Sequence, residues 1–290
     1  MSGLTARAAL SGEDAGFVAG ITWVPNEVLA ALVAGTGATG PAESLETLVR
    51  ALELDFAFVP AREPWAAEAV ELLHDAGVAA VWAIDGVLGR VGESVGWSEM
   101  LKMTVAEPSA LAAALGETLH DALDDTRAGA HAKADAILIA DDLAGATGSL
   151  VSPDFALDAL VPCYRSIAVE AHGHDLPALF HSDGDVRMLY SALARAGFSA
   201  VHVAGLSAEA FAAAYAAVRT AEMSVLGGIE AAALAHGARH LGEHAGLVSL
   251  GGGMLVCDDG GITSPEEVAA LATALEAARA VFAAGRGSEA

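Results

Sequence analysis

His181, Ser182 and Asp183 close an apolar run that begins at Ala178, so an imidazole and a carboxylate stand two residues apart at the end of an extended segment. Alternation along a strand puts both side chains on one face. Cys257 ends another apolar run, Met254–Val256. A neutral imidazole, a carboxylate and a thiolate are each competent ligands for zinc, and three protein ligands leave a fourth position open for substrate. His181, Asp183 and Cys257 are therefore the candidate metal set. Cys257 also reads as a small buried apolar residue, and Asp183 as a cap for the following helix.

Asp141 and Asp142 follow Ala136–Ala140. Two adjacent carboxylates repel unless a cation, hydrogen-bond donors or protons compensate, so this pair and Glu230 are candidate catalytic residues that orient substrate or ligand. The bland reading has one acid capping a helix and the other solvated. Asp85 at a strand end and His202 within a strand are candidates for holding a cofactor. His236, His240 and His244 share helical spacing in Ala231–Ala245 and read as a weakly polar helix face. Cys163 falls in a helix and reads as packing.

These residues converge only if the chain places them at one end of a sheet. Short β-rich runs recur at Phe17–Thr22, Asp55–Pro60, Ala79–Asp85, Ala136–Asp142, Ala178–Asp183, Ala200–Gly205, Ser224–Glu230 and Met254–Asp259. Segments of helical period separate them, among them Glu43–Leu54, Trp65–Ala76, Ser109–Ala128, Pro153–His172 and Ser207–Thr220. Alternating strands and helices pair in parallel through right-handed crossovers, and eight such units close into a (β/α)8 TIM barrel, whose strand ends form one rim. An open doubly wound sheet is the competing architecture, but no Gly-x-Gly-x-x-Gly follows the first strand. Ser152 and Ser264 precede Pro at expected helix starts; Gly77, Gly173 and Gly197 stand at expected helix stops. The reading is one domain over 1–284, with a frayed tail over 285–290.

The 290 residues carry 38 acidic side chains against 14 Lys plus Arg, a formal charge of −24. Such a surface repels nucleic-acid phosphates and anionic membranes alike. Acids, Gly or Pro interrupt the apolar runs before the ~18 residues a bilayer span needs. The first residues lack the apolar core of a secretory signal, so a cytoplasmic location is expected. Two cysteines are too few for a disulfide framework, and reduced thiols are expected.

Ala136–Ala144 (AILIADDLA), Leu150–Asp154 (LVSPD), Val161–Arg165 (VPCYR) and Leu176–Asp185 (LPALFHSDGD) resemble, in order and spacing, segments of the uroporphyrinogen decarboxylase-like superfamily. Ala196–His202 (AGFSAVH), Leu226–Glu230 (LGGIE) and Thr263–Glu267 (TSPEE) continue the resemblance, which spans Ala79 to Ala280. It implies a barrel enzyme, either a tetrapyrrole decarboxylase or a zinc-dependent methyltransferase that exchanges methyl groups between a corrinoid protein and a small acceptor. The methyltransferase branch holds zinc by a His-x-Cys and a later Cys. His181 matches the histidine, Asp183 takes the first cysteine position and Cys257 lies at or beside the second. Carboxylate in place of thiolate hardens such a site. The decarboxylase branch carries an Arg-rich N-terminal motif that has no counterpart here. A corrinoid carried on a partner protein and pairing of two copies are further implications of the resemblance; a non-catalytic barrel that binds a tetrapyrrole or small metabolite is the remaining alternative.

Overall fold

Leu138, Leu179, Leu226 and Leu255 face the same buried interior, while their chain neighbours Ile137, Phe180, Val225 and Val256 pack outward under the helices. Strands buried on both faces read as nearly continuous apolar runs, the pattern of a parallel barrel. The computed structural model describes residues 3–145 and 148–287. Its barrel strands are β1 (Val18–Ile21), β2 (Phe56–Pro60), β3 (Ala79–Asp85), β4 (Ala136–Ala140), β5 (Ala178–Asp183), β6 (Phe198–Ala204), β7 (Ser224–Ile229) and β8 (Met254–Asp258). They pair in chain order, all parallel, and β8 pairs back to β1, so the eight expected strands do close into a (β/α)8 barrel. A two-residue antiparallel pair, Ala144–Gly145 with Gly148–Ser149, decorates the loop after β4.

The end of the barrel opposite the site is plugged. The helix Gly3–Leu10 buries Ala6, Ala9 and Leu10 against the interior cluster. Arg7 of this helix ion-pairs with Asp135, whose carboxylate also accepts from the Ala80 backbone N–H at 2.8 Å and contacts His74 Nε2 at 2.9 Å. The same helix reaches the register of the sheet. Ala178 pairs with Phe198 but Leu179 pairs with Ala200, so Ser199 is an extra residue in β6. Its hydroxyl donates to the Leu10 carbonyl at 2.7 Å.

Several helix boundaries follow the sequence signals. The Ser152 hydroxyl accepts from the Phe155 N–H, and Ser264 with Glu267 forms a reciprocal capping box. Gly77 (φ 75°) and Gly197 (φ 104°) are left-handed helix stops, whereas Gly173 stays helical and Asp175 takes the left-handed position instead. The helix expected over Pro153–His172 contains a π-helical turn at Ala156–Leu160. Pro162, just beyond, has no N–H to give the carbonyl four residues back, which breaks the α ladder there. The helical histidines separate at Gly237, which divides a 3-10 turn (Ala231–His236) from the helix Ala238–Ser249. After β3 the chain builds two unanticipated helices, Val87–Val95 and Trp97–Ala106, ahead of the long helix Pro108–His131.

Among the described residues one helix, Pro265–Gly287, is long and apolar enough to cross a bilayer by length and composition, against the expectation that acids, Gly or Pro interrupt every such run. In the fold it is the closing barrel helix, burying Val268, Leu271 and Leu275, and it runs through Gly287, past the expected start of the tail at Gly285. Residues 288–290 of that tail lie outside the described residues. Its partner, the helix Ala238–Ser249, approaches so closely that a Cβ at Gly242 would stand 1.9 Å from the Ala274 carbonyl oxygen. Overpacking of this kind costs about 1–3 kcal/mol. Gly242→Ala is therefore expected to lower unfolding stability by about that amount, read as a lower urea midpoint with unchanged slope; an unchanged midpoint would show that the two helices part freely.

Candidate metal centre at the barrel mouth

Strand parity sorts the candidate residues. His181 and Asp183 share the inward face of β5 with Leu179. Asp142 continues the inward parity of Leu138 and Ala140, while Asp141 continues that of Ile137 and Ile139 and points outward. The adjacent acids therefore have different fates. Asp141 is buried, accepting from the backbone N–H groups of Leu88 (2.9 Å) and Gly89 (2.8 Å) and from the Tyr164 hydroxyl (2.8 Å). It caps the helix Val87–Val95, and Gly86 must lack a side chain, because a Cβ there would meet Asp141 Cβ at 2.2 Å. Burial pushes the Asp141 carboxyl up to about 6, against the pull of those hydrogen bonds. The expectation of a catalytic role for Asp141 is corrected: its oxygens are occupied in the scaffold.

Asp142 and Asp183 have half-exposed side chains, 47% and 51%. They flank the imidazole of His181, whose Nε2 lies 3.6 Å from Asp142 Oδ1 and 3.9 Å from Asp183 Oδ1. One ligand atom from each of the three lies within 4.8 Å of the others. The Asp183 N–H donates to Asp142 Oδ1 at 2.9 Å, fixing one carboxylate against the other strand. Burial, Asp142 and Asp259 together push the Asp183 carboxyl up to about 6. Like charges held this close are what a bound cation relieves.

The hydrogen bonds beneath His181 determine its tautomer. His202 Nε2 lies 3.0 Å from the backbone carbonyl of Asp258, which can only accept, so this nitrogen carries the proton. Burial drives His202 down to about 4, and His181, buried beside it, falls well below its ordinary range, so both rings are neutral at pH 7. A neutral His202 protonated at Nε2 has a lone pair at Nδ1. His181 Nδ1, at 2.8 Å, must then be the donor. That leaves the Nε2 lone pair of His181 without a hydrogen bond, aimed between Asp142 and Asp183. Metal-ligating histidines are oriented in this way, with the distal N–H anchored to an acceptor.

The other candidates are placed differently. Cys257 is fully buried in the apolar interior, opposite Gly228, and stands outside the converging ligand group among the described residues. Burial and Asp258 push its thiol well above the usual range, away from the thiolate a metal needs. His202 is also fully buried; it sits behind His181 and does not reach a cofactor, which corrects that expectation. Asp85 lines the mouth but its carboxylate pairs with Arg62 Nε at 2.9 Å. Glu230 shares a small cavity with Asp259 beside β6 and β7. Cys163 is a packing residue, its thiol donating to the Ala159 carbonyl within the helix. Asp258 ties the barrel closure, accepting from the Thr22 N–H (3.0 Å), the Thr22 hydroxyl and the Gly260 N–H (3.0 Å).

Trp23 is the residue that sequence reasoning missed. Its ring packs edge-on to His181 (4.9 Å between centroids) and to Phe58 (5.0 Å), and it borders three adjoining cavities of about 250, 220 and 310 Å³ at the rim. It lies one residue beyond the expected first strand, where inward parity alone gave no signal.

A closed parallel α/β barrel with a carboxylate–imidazole–carboxylate group at its carboxyl rim defines the class. The sequence profile of the uroporphyrinogen decarboxylase (URO-D) family matches residues 77–246, and the chain belongs to that family. Its fold is similar to that of a methyltransferase from Methanosarcina mazei, with a TM-score of 0.73 at 18% identity over 96% of this chain and 98% of that one. A D-psicose 3-epimerase from Clostridium cellulolyticum H10 superposes with a TM-score of 0.56 at 10% identity, over 92% of this chain and 99% of that one. At these identities the likeness is one of fold. No curated protein gives a significant sequence match.

The neutral histidine pair carries a pH signature. A His202 pKa of about 4 in the fold lies below the ~6.5 of an unfolded histidine. Its contribution is therefore intact above pH 6.5 and is lost as pH falls from 6.5 through 4, by about 3 kcal/mol. Asp141, raised in the fold, acts in the opposite sense over part of that window, so the measurement is a difference. Wild type minus His202→Gln unfolding free energy is expected to shrink by that amount between pH 7 and 4; a constant difference would mean that His202 titrates normally in the fold.

Proposed function

We propose that the chain is a metal-dependent methyltransferase that moves a methyl group between a corrinoid carried on a partner protein and a small acceptor. The observation that carries the metal reading is the free Nε2 lone pair of His181, presented between two half-exposed carboxylates. Family membership and the shared fold of the Methanosarcina methyltransferase support the choice of reaction.

The donor set tests which metal the residues fit. A thiolate-rich zinc site does not fit, because Asp183 offers oxygen and Cys257 is a buried thiol turned into the core. One nitrogen and two carboxylate oxygens fit a harder divalent ion, with zinc, manganese or cobalt all compatible. Such an ion, held by Asp142, His181 and Asp183, would supply Lewis acidity at an open position. The chain's own residues do the rest. His202 holds the His181 ring in the tautomer that presents the lone pair. The Asp183 N–H holds the Asp142 carboxylate in place, and Trp23 covers the imidazole from the side. Asp85, Glu230 and Asp259 surround the approach with acceptors for the small substrate. A decarboxylase acting on a polycarboxylate is disfavoured by the same rim, which would repel it.

Elemental analysis after loading with zinc, manganese or cobalt tests the reading. About one ion per chain is expected in wild type and Cys257→Ser, and its loss in His181→Ala and Asp142→Ala. Full metal content in the latter two, or none in any, would remove the site. Methyl transfer from a methylated corrinoid protein, abolished in the same two variants, is the expected activity.

A further inference from the structure

The chain has four tryptophans, and three of them, Trp23, Trp65 and Trp97, line the adjoining cavities at the barrel mouth. The cavity of about 250 Å³ that opens onto His181 has Trp23 and Trp97 in its wall together with Asp85, Glu93 and Asp142. Trp97 is backed by the helix Val87–Val95: a Cβ at Gly92 would stand 3.0 Å from its ring. It is nevertheless 43% exposed, a large aromatic surface left open beside the site. No Lys or Arg lines any of the three cavities that share Trp23 among the described residues. Seven carboxylates line these cavities and the small one beside them, those of Glu63, Asp85, Glu93, Asp142, Asp183, Glu230 and Asp259. Against them stands Arg62, which bridges Asp85 and Glu93 at 2.9 Å each. The rim stays net negative with Arg62 counted, and it stays negative with a dication added.

An acidic cluster alone says nothing about a ligand. Here the wall supplies a further observation: Trp23 and Trp97 border the same cavity as Asp85, Glu93 and Asp142, beside the buried imidazole of His181. Aromatic faces with carboxylates in excess of the cations that pair them are the features that hold cations whose charge is masked by methyl groups. A metal aquo ion would select carboxylates without tryptophans. A neutral aromatic would select tryptophans without carboxylates.

We propose that the mouth binds a methylated ammonium ion, its methyl groups against Trp23 and Trp97 and its charge facing Asp85, Glu93 and Asp142. This names the substrate class of the proposed methyltransferase and rests on that reading only in assigning the cation as the source or acceptor of the methyl group. A zwitterion with its own carboxylate binds less well than a simple cation, because the rim repels the second charge. Polycarboxylates are excluded for the same reason.

The test uses the full chain, metal-free and zinc-loaded, with tetramethylammonium as the first probe. This ion neither coordinates a metal nor donates a hydrogen bond, so its binding does not require the metal, and a dication held at Asp142 is expected to weaken it. Choline is then compared with 3,3-dimethyl-1-butanol, which has the same shape without the charge. Calorimetry or tryptophan fluorescence is expected to show choline binding about tenfold or more tightly than the neutral alcohol, and Trp97→Leu weakening tetramethylammonium about 2- to 30-fold with metal content unchanged. Because Trp97 is 43% exposed and lies outside the buried core, this variant is expected to fold, which far-ultraviolet circular dichroism checks. Equal affinity for choline and the alcohol, or full tetramethylammonium binding in Trp97→Leu, would overturn the proposal while leaving the metal centre standing. Selective cation binding in a protein that holds no metal and transfers no methyl group would support the subsite and overturn the methyltransferase reading.

Discussion

One extra residue in β6 sets the chemistry of the mouth. If β5 and β6 kept the register of Ala178 with Phe198, His181 would face Val201, and His202 would turn outward into the helix layer. The bulge at Ser199 advances β6 by one residue, so His181 and His202 become partners with the same inward parity. Only then can the two Nδ1 atoms meet at 2.8 Å. The bulge is itself held from the far end of the barrel, through the Ser199 hydroxyl on the carbonyl of Leu10. The N-terminal helix thus plugs the barrel floor and fixes the register on which the site depends.

From that pairing the protonation pattern follows without further choice. A carbonyl cannot donate, so His202 must; a neutral His202 then has a single acceptor, so His181 must donate to it. Burial enforces neutrality on both rings, because charging either in the dry interior is costly. The result is a nitrogen lone pair facing two carboxylates, an arrangement with no hydrogen-bonding solution among its own members when both acids are ionised. The opposite device operates one residue earlier in β4. Asp141 carries its charge into full burial and is satisfied by two helix N–H groups and a tyrosine hydroxyl. Adjacent aspartates on one strand end therefore divide into a helix cap and a member of the rim group by parity alone.

The barrel was legible because its strands are apolar on both faces and separated by helices with conventional starts and stops; their ends differ from expectation by no more than two residues. His181 and Asp183 were legible as a pair for the same reason, a period of two on an extended segment. Asp142 was legible as a candidate but not in its role, since nothing local distinguishes it from Asp141 until the inward face of β4 is fixed. The role of His202 was illegible, because a bulge one residue long leaves no mark in hydrophobic periodicity. Cys257 was misdirected by its type: a thiol at a strand end suggests a ligand, yet the inward position it occupies is filled by apolar neighbours. Trp23 fell just past an expected strand and Trp97 in a stretch given no element, where an aromatic gives no sign of what it borders.

That the converging group offers carboxylates and no thiolate determines what the rim can favour. Sulfur ligands spread charge and suit a zinc ion that passes electron density to a bound thiol, whereas carboxylates keep charge localised and suit a harder ion. Cys257, kept as a neutral thiol, adds no charge at the mouth, whereas Asp142 and Asp183 each bring a carboxylate. In this −24 chain the cavities that share Trp23 at the barrel mouth are lined by carboxylates and tryptophan with no Lys or Arg among the described residues, a wall that favours cations over anions. In the proposed reading, metal affinity and substrate sign both rest on these carboxylates, and a change that removed them would alter both together.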